Sequence, residues 1–208
     1  MYLEPIVMLD FETTGLSPAA GARITEVAAL RIEGGRIVDR FVSLVNCGVE
    51  IPAFITGLTG ITQEMVDNAP CVTKVVPELL RFIGSDTLSA HNASFDEKFL
   101  LAESRSLGLA PQHARLVCSL KLARRLFPGL PSYKLATLSS SLGIRFRGTA
   151  HRAEADAEVS AEVLLHVAGY LRQKYGVSAV APHLLARVNA LSAAKVPEFL
   201  RKELSSQG

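Results

Sequence analysis

Residues 6–15 read Ile6-Val7-Met8-Leu9-Asp10-Phe11-Glu12-Thr13-Thr14-Gly15, four apolar side chains that run directly into two acids and a small polar turn. A short continuous apolar run of this kind predicts a strand buried on both faces. Strand side chains alternate, so Asp10 and Glu12 project from one face, just where the buried strand ends. Two like charges placed there raise each other's pKa unless a cation neutralises them. A hard divalent ion such as Mg²⁺ or Mn²⁺, which prefers oxygen ligands, removes the conflict. Taken alone, the pair fits two solvated loop acids equally well.

Working outward, residues 23–32 and 36–45 predict two further strands, with Gly34-Gly35 between them as a hairpin signal. Residues 46–70, punctuated by Gly and Pro, read as irregular. Residues 72–83 have helical spacing, with Pro77 marking a kink or a later start. A short strand at 87–90 precedes a helix at 94–107, for which Ser94 is the candidate cap. A strand at 116–118 leads into a helix ending at Leu126. A short helix at 133–142 is closed by Gly143, and a long one spans 152–174. Strands first, then strands alternating with helices, predict an α/β domain with a mixed sheet. Leu184, Leu185, Val188 and Leu191 form a stripe on a terminal helix that packs back onto the domain, with a docking helix for a partner as the alternative, and Pro197 ends or restarts it.

Apolar residues at 49% and charged residues at 20% suit one folded domain with a sizeable core. No apolar run approaches the roughly 18 residues of a membrane span. The first residues carry no basic leader, which predicts no secretory signal. Cys47, Cys71 and Cys118 are few, odd in number and widely spaced, as reduced thiols of a cytoplasmic protein would be. The net charge of +2 says little, but its distribution says more. From Ser104 to Ala153 there is no acid, while Arg105, Arg115, Lys121, Arg124, Arg125, Lys134, Arg145, Arg147 and Arg152 are all basic. Such a stretch fits either a surface for polyanions or a set of solvated helix faces.

Two further stretches carry acids. His91-Asn92-Ala93-Ser94-Phe95-Asp96 sits at a strand–helix junction, where an acid in the first turn is also favoured by the helix dipole alone. In His151-Arg152-Ala153-Glu154-Ala155-Asp156, Asp156 shares a helical stripe with Val159, Val163 and Val167 and so points toward the sheet. Glu154 and Glu158 fall off that stripe and read as solvated. A histidine before a helix is, by itself, an ordinary surface or capping residue.

Jointly, Asp10-Phe11-Glu12-Thr13-Thr14-Gly15, the His91–Asp96 stretch and the His151–Asp156 stretch resemble the three exonuclease motifs of the DEDDh, or DnaQ-like, family. That family includes the proofreading epsilon subunits of bacterial DNA polymerase III and RNase T, and the resemblance covers roughly residues 6–171. It implies an RNase H-like fold, a mixed five-stranded sheet flanked by helices. Residues 1–175 would form the exonuclease domain and 176–208 a helical extension. It further implies a 3′→5′ exonuclease that uses two Mg²⁺ or Mn²⁺ ions and releases nucleoside 5′-monophosphates. Asp10, Glu12 and Asp156 would ligate one ion, Asp10 would bridge to the second, and Asp96 would hold that ion through water. His151 would be the general base, a role for which imidazole, titrating near neutrality, is suited. Thr13, Thr14 and Gly15 would contact the terminal nucleotide, Leu58 would wedge against its base, and Asn92 and Phe95 would support the same pocket. The implied partners are single-stranded 3′ ends, DNA before RNA, and a DNA polymerase subunit. Some of Arg115, Lys121, Arg124, Arg125, Lys134, Arg145 and Arg147 would bind phosphates upstream. An RNA 3′-exonuclease and a catalytically idle nucleic-acid-binding module are the competing readings.

Overall fold

A computed structural model describes residues 2, 4–145, 148 and 150–205. The opening apolar run forms β1 (Ile6–Thr13), which continues through both acids. It pairs antiparallel with β2 (Ile24–Glu33), and β2 pairs antiparallel with β3 (Arg36–Leu44). Between the latter two, Gly34 and Gly35 both adopt positive φ, as a tight two-residue hairpin turn requires. Residues 46–70, expected to be irregular, contain α1 (Ala53–Thr59) and α2 (Gln63–Asp67). The missed signals are end signals. Gly60 closes α1 in the left-handed conformation, and the Thr62 hydroxyl accepts from Met65 N–H to cap α2.

Helix α3 (Val72–Ile83) runs through Pro77 from Val72, so Pro77 does not mark a later start. Strand β4 (Thr87–Ala90) lies parallel to β1 and leads into α4 (Ser94–Ser106). Ser94 is not the cap: Ala93 takes that position, already helical, and the turn is made by Asn92 at φ 69°. Strand β5 (Arg115–Cys118) pairs parallel with β4 and passes directly into α5 (Ser119–Leu126). Then come α6 (Leu135–Ser141), α7 (Ala153–Tyr175), α8 (Pro182–Ala190) and α9 (Val196–Ser205). Pro197 thus falls in the first turn of a new helix, where its missing N–H is tolerated. The sheet order is β3-β2-β1-β4-β5, a mixed five-stranded sheet with β1 at its centre.

Alternation along β1 sorts the two layers. Ile6 and Met8 join the core formed with α5, α7, α8 and α9, whereas Val7, Leu9 and Phe11 join the core formed with α3 and α4. Each such side chain, fully withdrawn from water, contributes roughly 1.5–3 kcal/mol. Asp10 and Glu12 therefore continue the face that α7 covers. Leu184, Leu185 and Val188 are buried in that same core, and Leu191 packs at its margin. The Asn189 side chain caps edge strand β5, accepting from Cys118 N–H at 2.6 Å and donating to Cys118 O at 3.2 Å. All three cysteines are free, and among the described residues no helix is long and apolar enough to cross a membrane.

Candidate active site

The C-terminal end of β1 opens into a cleft of about 390 Å³. Its walls include Asp10, Glu12, Thr13, Gly15, Leu58, Asn92, Phe95, Asp96, His151 and Asp156, so residues far apart in the chain converge there. Each arrives for a local reason. Pairing of β1 with β4 stops at Met8, and beyond that point Phe11 N–H donates to the Asp96 carboxylate at 3.2 Å. Asp96 is thereby carried by α4 around the sheet end, buried at 3% exposure. Asp156 stands one turn into α7 and accepts from His151 N–H at 3.0 Å, which folds the segment before the helix back over the cleft. His151 adopts φ 62°; it and Asn92 are the non-glycine residues with positive φ among those described, and both line the cleft. Strained backbone of this kind persists only where surrounding contacts over-determine it.

Ligand atoms of Glu12, His151 and Asp156 all lie within 4.8 Å of one another. The electrostatics match that crowding. Burial, followed by the charges of Asp96, Asp156, Glu12 and Glu26, holds the Asp10 carboxyl well above the usual carboxylate range. Burial and then Asp156 and Glu26 push Glu12 up to about 8, against a lowering pull from Arg152. Burial raises Asp96 to about 8 despite the Phe11 N–H, and Asp156 is raised for the same first reason. Four carboxylates that cannot ionise together form an all-oxygen donor set with one imidazole beside it. Hard divalent cations fit such a set, because binding releases the protons and cancels the repulsion.

Thr14 is placed differently from the expectation. Its hydroxyl accepts from Arg23 N–H at 2.9 Å and its own N–H donates to Arg23 O at 2.9 Å, so it braces the loop rather than lining the cleft. Thr13 Oγ1 donates to Gly15 O at 2.7 Å and shapes the same turn. Leu58 is half exposed at the rim, with Leu16 also projecting there. A second cleft of about 420 Å³ between β3 and α7, lined in part by Arg40, Arg145, Glu158 and His166, contains none of the motif acids.

Three residues of the site were not singled out from the sequence. Glu26, at 3% exposure, receives Arg152 and stands opposite Glu12 in the sheet register. Its signal was an acid inside the apolar run Ile24–Ile32. In sequence Arg152 reads as one more cation of the acid-free stretch, whereas it pairs with Glu26 at 2.6 Å. His91 joins two elements: its Nε2 donates to Tyr133 O at 3.0 Å, which leaves Nδ1 to accept from the Ser119 hydroxyl at 2.9 Å. The basic stretch divides as well. Arg125 donates to Leu191 O, Arg115 lies 3.8 Å from Glu4 and Arg152 is paired, whereas Lys121, Arg124 and Lys134 are exposed. Arg147 lies outside the described residues. Glu154 and Glu158 are partly exposed and both pair with Arg40 of β3.

A mixed sheet that gathers acids from β1, α4 and α7 at one end defines a class of metal-dependent nucleases. Residues 7–164 match the family model of RNase T, described as exonuclease. The chain belongs to this exonuclease family, the DnaQ-like group its motifs resemble. It is 38% identical over 173 residues to the 3′-5′ exonuclease DinG of Bacillus subtilis, covering 83% of this chain but only 18% of that protein. It is 36% identical to the DNA polymerase III subunit epsilon of Aquifex aeolicus, covering 82% of this chain and 84% of the relative. The fold is shared with exonuclease X solved with 5′-overhanging duplex DNA, at a TM-score of 0.69 and 27% identity, covering 88% and 99% of the two chains. Exonuclease I, at a TM-score of 0.71 and 20% identity, shares the RNase H-like fold over 83% of this chain and 44% of its own.

Proposed function

We propose that this chain removes nucleotides one at a time from the 3′ end of single-stranded DNA, releasing nucleoside 5′-monophosphates. The observation that carries the reading is the convergence of Asp10, Glu12, Asp96, Asp156 and His151 in one cleft. Asp10, Glu12 and Asp156 would hold one divalent ion, with Asp10 shared toward a second that Asp96 supports. Two Mg²⁺ or Mn²⁺ ions so held would supply positive charge at the scissile phosphate and would acidify a water there. An imidazole nitrogen of His151 takes the proton from that water. Gly15 and Thr13 shape the wall against the terminal sugar, Leu58 packs on the last base, and Asn92 and Phe95 back the same wall. Thr14 contributes by holding that loop in place. DNA is favoured because relatives at 36–38% identity include a DNA polymerase III subunit and DinG. A DNA polymerase subunit is the corresponding protein partner. In this reading residues 1–175 make up the catalytic domain, and 176–208 follow it as a C-terminal extension whose α8 and α9 pack into the same core.

The test is digestion of 5′-labelled DNA and RNA strands of one sequence with Mg²⁺, Mn²⁺ or EDTA. DNA should shorten from its 3′ end with a divalent ion and not with EDTA. Asp10→Ala should be inactive, and His151→Ala should lose about 10²–10⁴-fold, the usual share of a general base. Activity surviving in Asp10→Ala would refute the ion-binding role, and preferential RNA digestion would refute the substrate.

A further inference from the structure

We propose that Glu26 is a positioning residue that locks the start of α7 against β1, and thereby sets Asp156 and His151 at working distance from Glu12. The inference rests on the exonuclease reading above and concerns a residue outside the three motifs. Glu26 lies on β2 directly opposite Glu12 on β1. Between that pair and the next, Thr13 with Ile24, the register slips by one residue. The slip is an extra residue on β2, and such irregularities commonly re-aim a side chain beside a site.

The Glu26 carboxylate is fully committed. Arg152 Nη2 donates to Oε1 at 2.6 Å and Arg152 Nε to Oε2 at 3.1 Å, a two-pronged grip. Ala153 N–H, at the first position of α7, donates to Oε2 at 2.9 Å. One carboxylate thus satisfies an otherwise unpartnered N–H at the helix start and clamps the residue before the helix. His151 and Asp156 flank that clamp, one residue before it and one turn beyond. The arrangement is costly: a third acid beside Glu12 and Asp156 adds to their repulsion, which Arg152 offsets at Glu12 and His151, chiefly through its N–H, at Asp156. A neutral cap would hold a helix start without that penalty. What Glu26 adds is a rigid, bidentate registration of α7 on the strand bearing Glu12.

The experiment compares the full chain with Glu26→Ala, Glu26→Gln and Arg152→Lys. Mn²⁺ binding is measured by calorimetry, kcat and KM on a single-stranded DNA oligonucleotide, and melting by circular dichroism. Glu26→Ala should lower kcat by about 100-fold, the scale of a displacement near 1 Å, while KM stays near wild type. Mn²⁺ affinity should fall on the order of 10-fold. Glu26→Gln, which keeps one acceptor oxygen, should fall between. Arg152→Lys keeps the charge and loses the fork, so it should fold and still lose about 10-fold in Mn²⁺ affinity. Should Glu26→Ala fail to fold, Arg152→Lys and Glu26→Gln decide the matter. Variants that melt earlier yet bind Mn²⁺ and turn over like wild type below their melting point would reduce Glu26 to a stabilising residue and overturn the proposal. A wild-type chain that neither binds Mn²⁺ nor shortens DNA would instead overturn the exonuclease reading, a separately recognisable result.

Discussion

Removing divalent ions and raising the pH should unfold this protein far more readily than its composition suggests. In the folded chain Glu12 and Asp96 titrate at about 8, whereas an unfolded chain titrates them near their ordinary values of 4.5 and 3.8. A raised folded-state pKa stabilises fully below the unfolded value, and that contribution drains away as pH climbs through the folded value. Between pH 6 and pH 9 the folded chain must release a proton that the unfolded chain has already lost. At about 1.4 kcal/mol per pH unit over the two units up to pH 8, either carboxyl alone accounts for roughly 3 kcal/mol. In a chain of this size that is a fall of about 6–12 °C in Tm. The scan should stop at pH 9, because the buried Tyr2 hydroxyl is itself pushed above its ordinary range. Thermal melts in EDTA at pH 6 and pH 9, repeated with excess Mg²⁺, provide the assay. Mg²⁺ should abolish most of the difference, and Glu12→Gln should shrink it in EDTA. Equal melting temperatures at the two pH values in EDTA would mean that Glu12 and Asp96 are not held protonated by burial and neighbouring acids, and the site would have to be redrawn.

Asp10→Asn should abolish nuclease activity while raising Tm in EDTA at pH 9, since it removes a carboxyl whose ionisation burial and the neighbouring acids oppose. Charge reversal at Arg124, which lies over the Tyr133 ring, and at the neighbouring Lys134 should weaken DNA binding and flatten its salt slope by about 0.7 for each phosphate no longer neutralised. Arg125→Ala should leave that slope unchanged, because its guanidinium is already spent on Leu191 O. Leu185→Ala on α8, at a fully buried position, should cost about 2–5 kcal/mol of stability by chemical denaturation. At 25 °C the folded variant should keep wild-type kcat.

What the linear chain by itself determined is whatever depends on spacing along one element. Period-two alternation put Asp10 and Glu12 on one face of β1, the stripe through Val159, Val163 and Val167 turned Asp156 inward, and Gly34-Gly35 closed the β2–β3 hairpin at its observed place. Three motifs were enough for the family and the fold, and the cleft gathers their residues Asp10, Glu12, Asp96, His151 and Asp156. Short helices α1 and α2 escaped because a five- to seven-residue helix is held by its caps and neighbours rather than by its own periodicity. Only the tertiary structure decided which charges are free and which are committed. Arg125 and Arg152 look alike in sequence, and so do Glu26 and any surface glutamate, because pairing across strands and helices has no local signature. The Glu26–Arg152 clamp is formed by residues 126 positions apart, and only the packing of α7 across β1 and β2 brings them together.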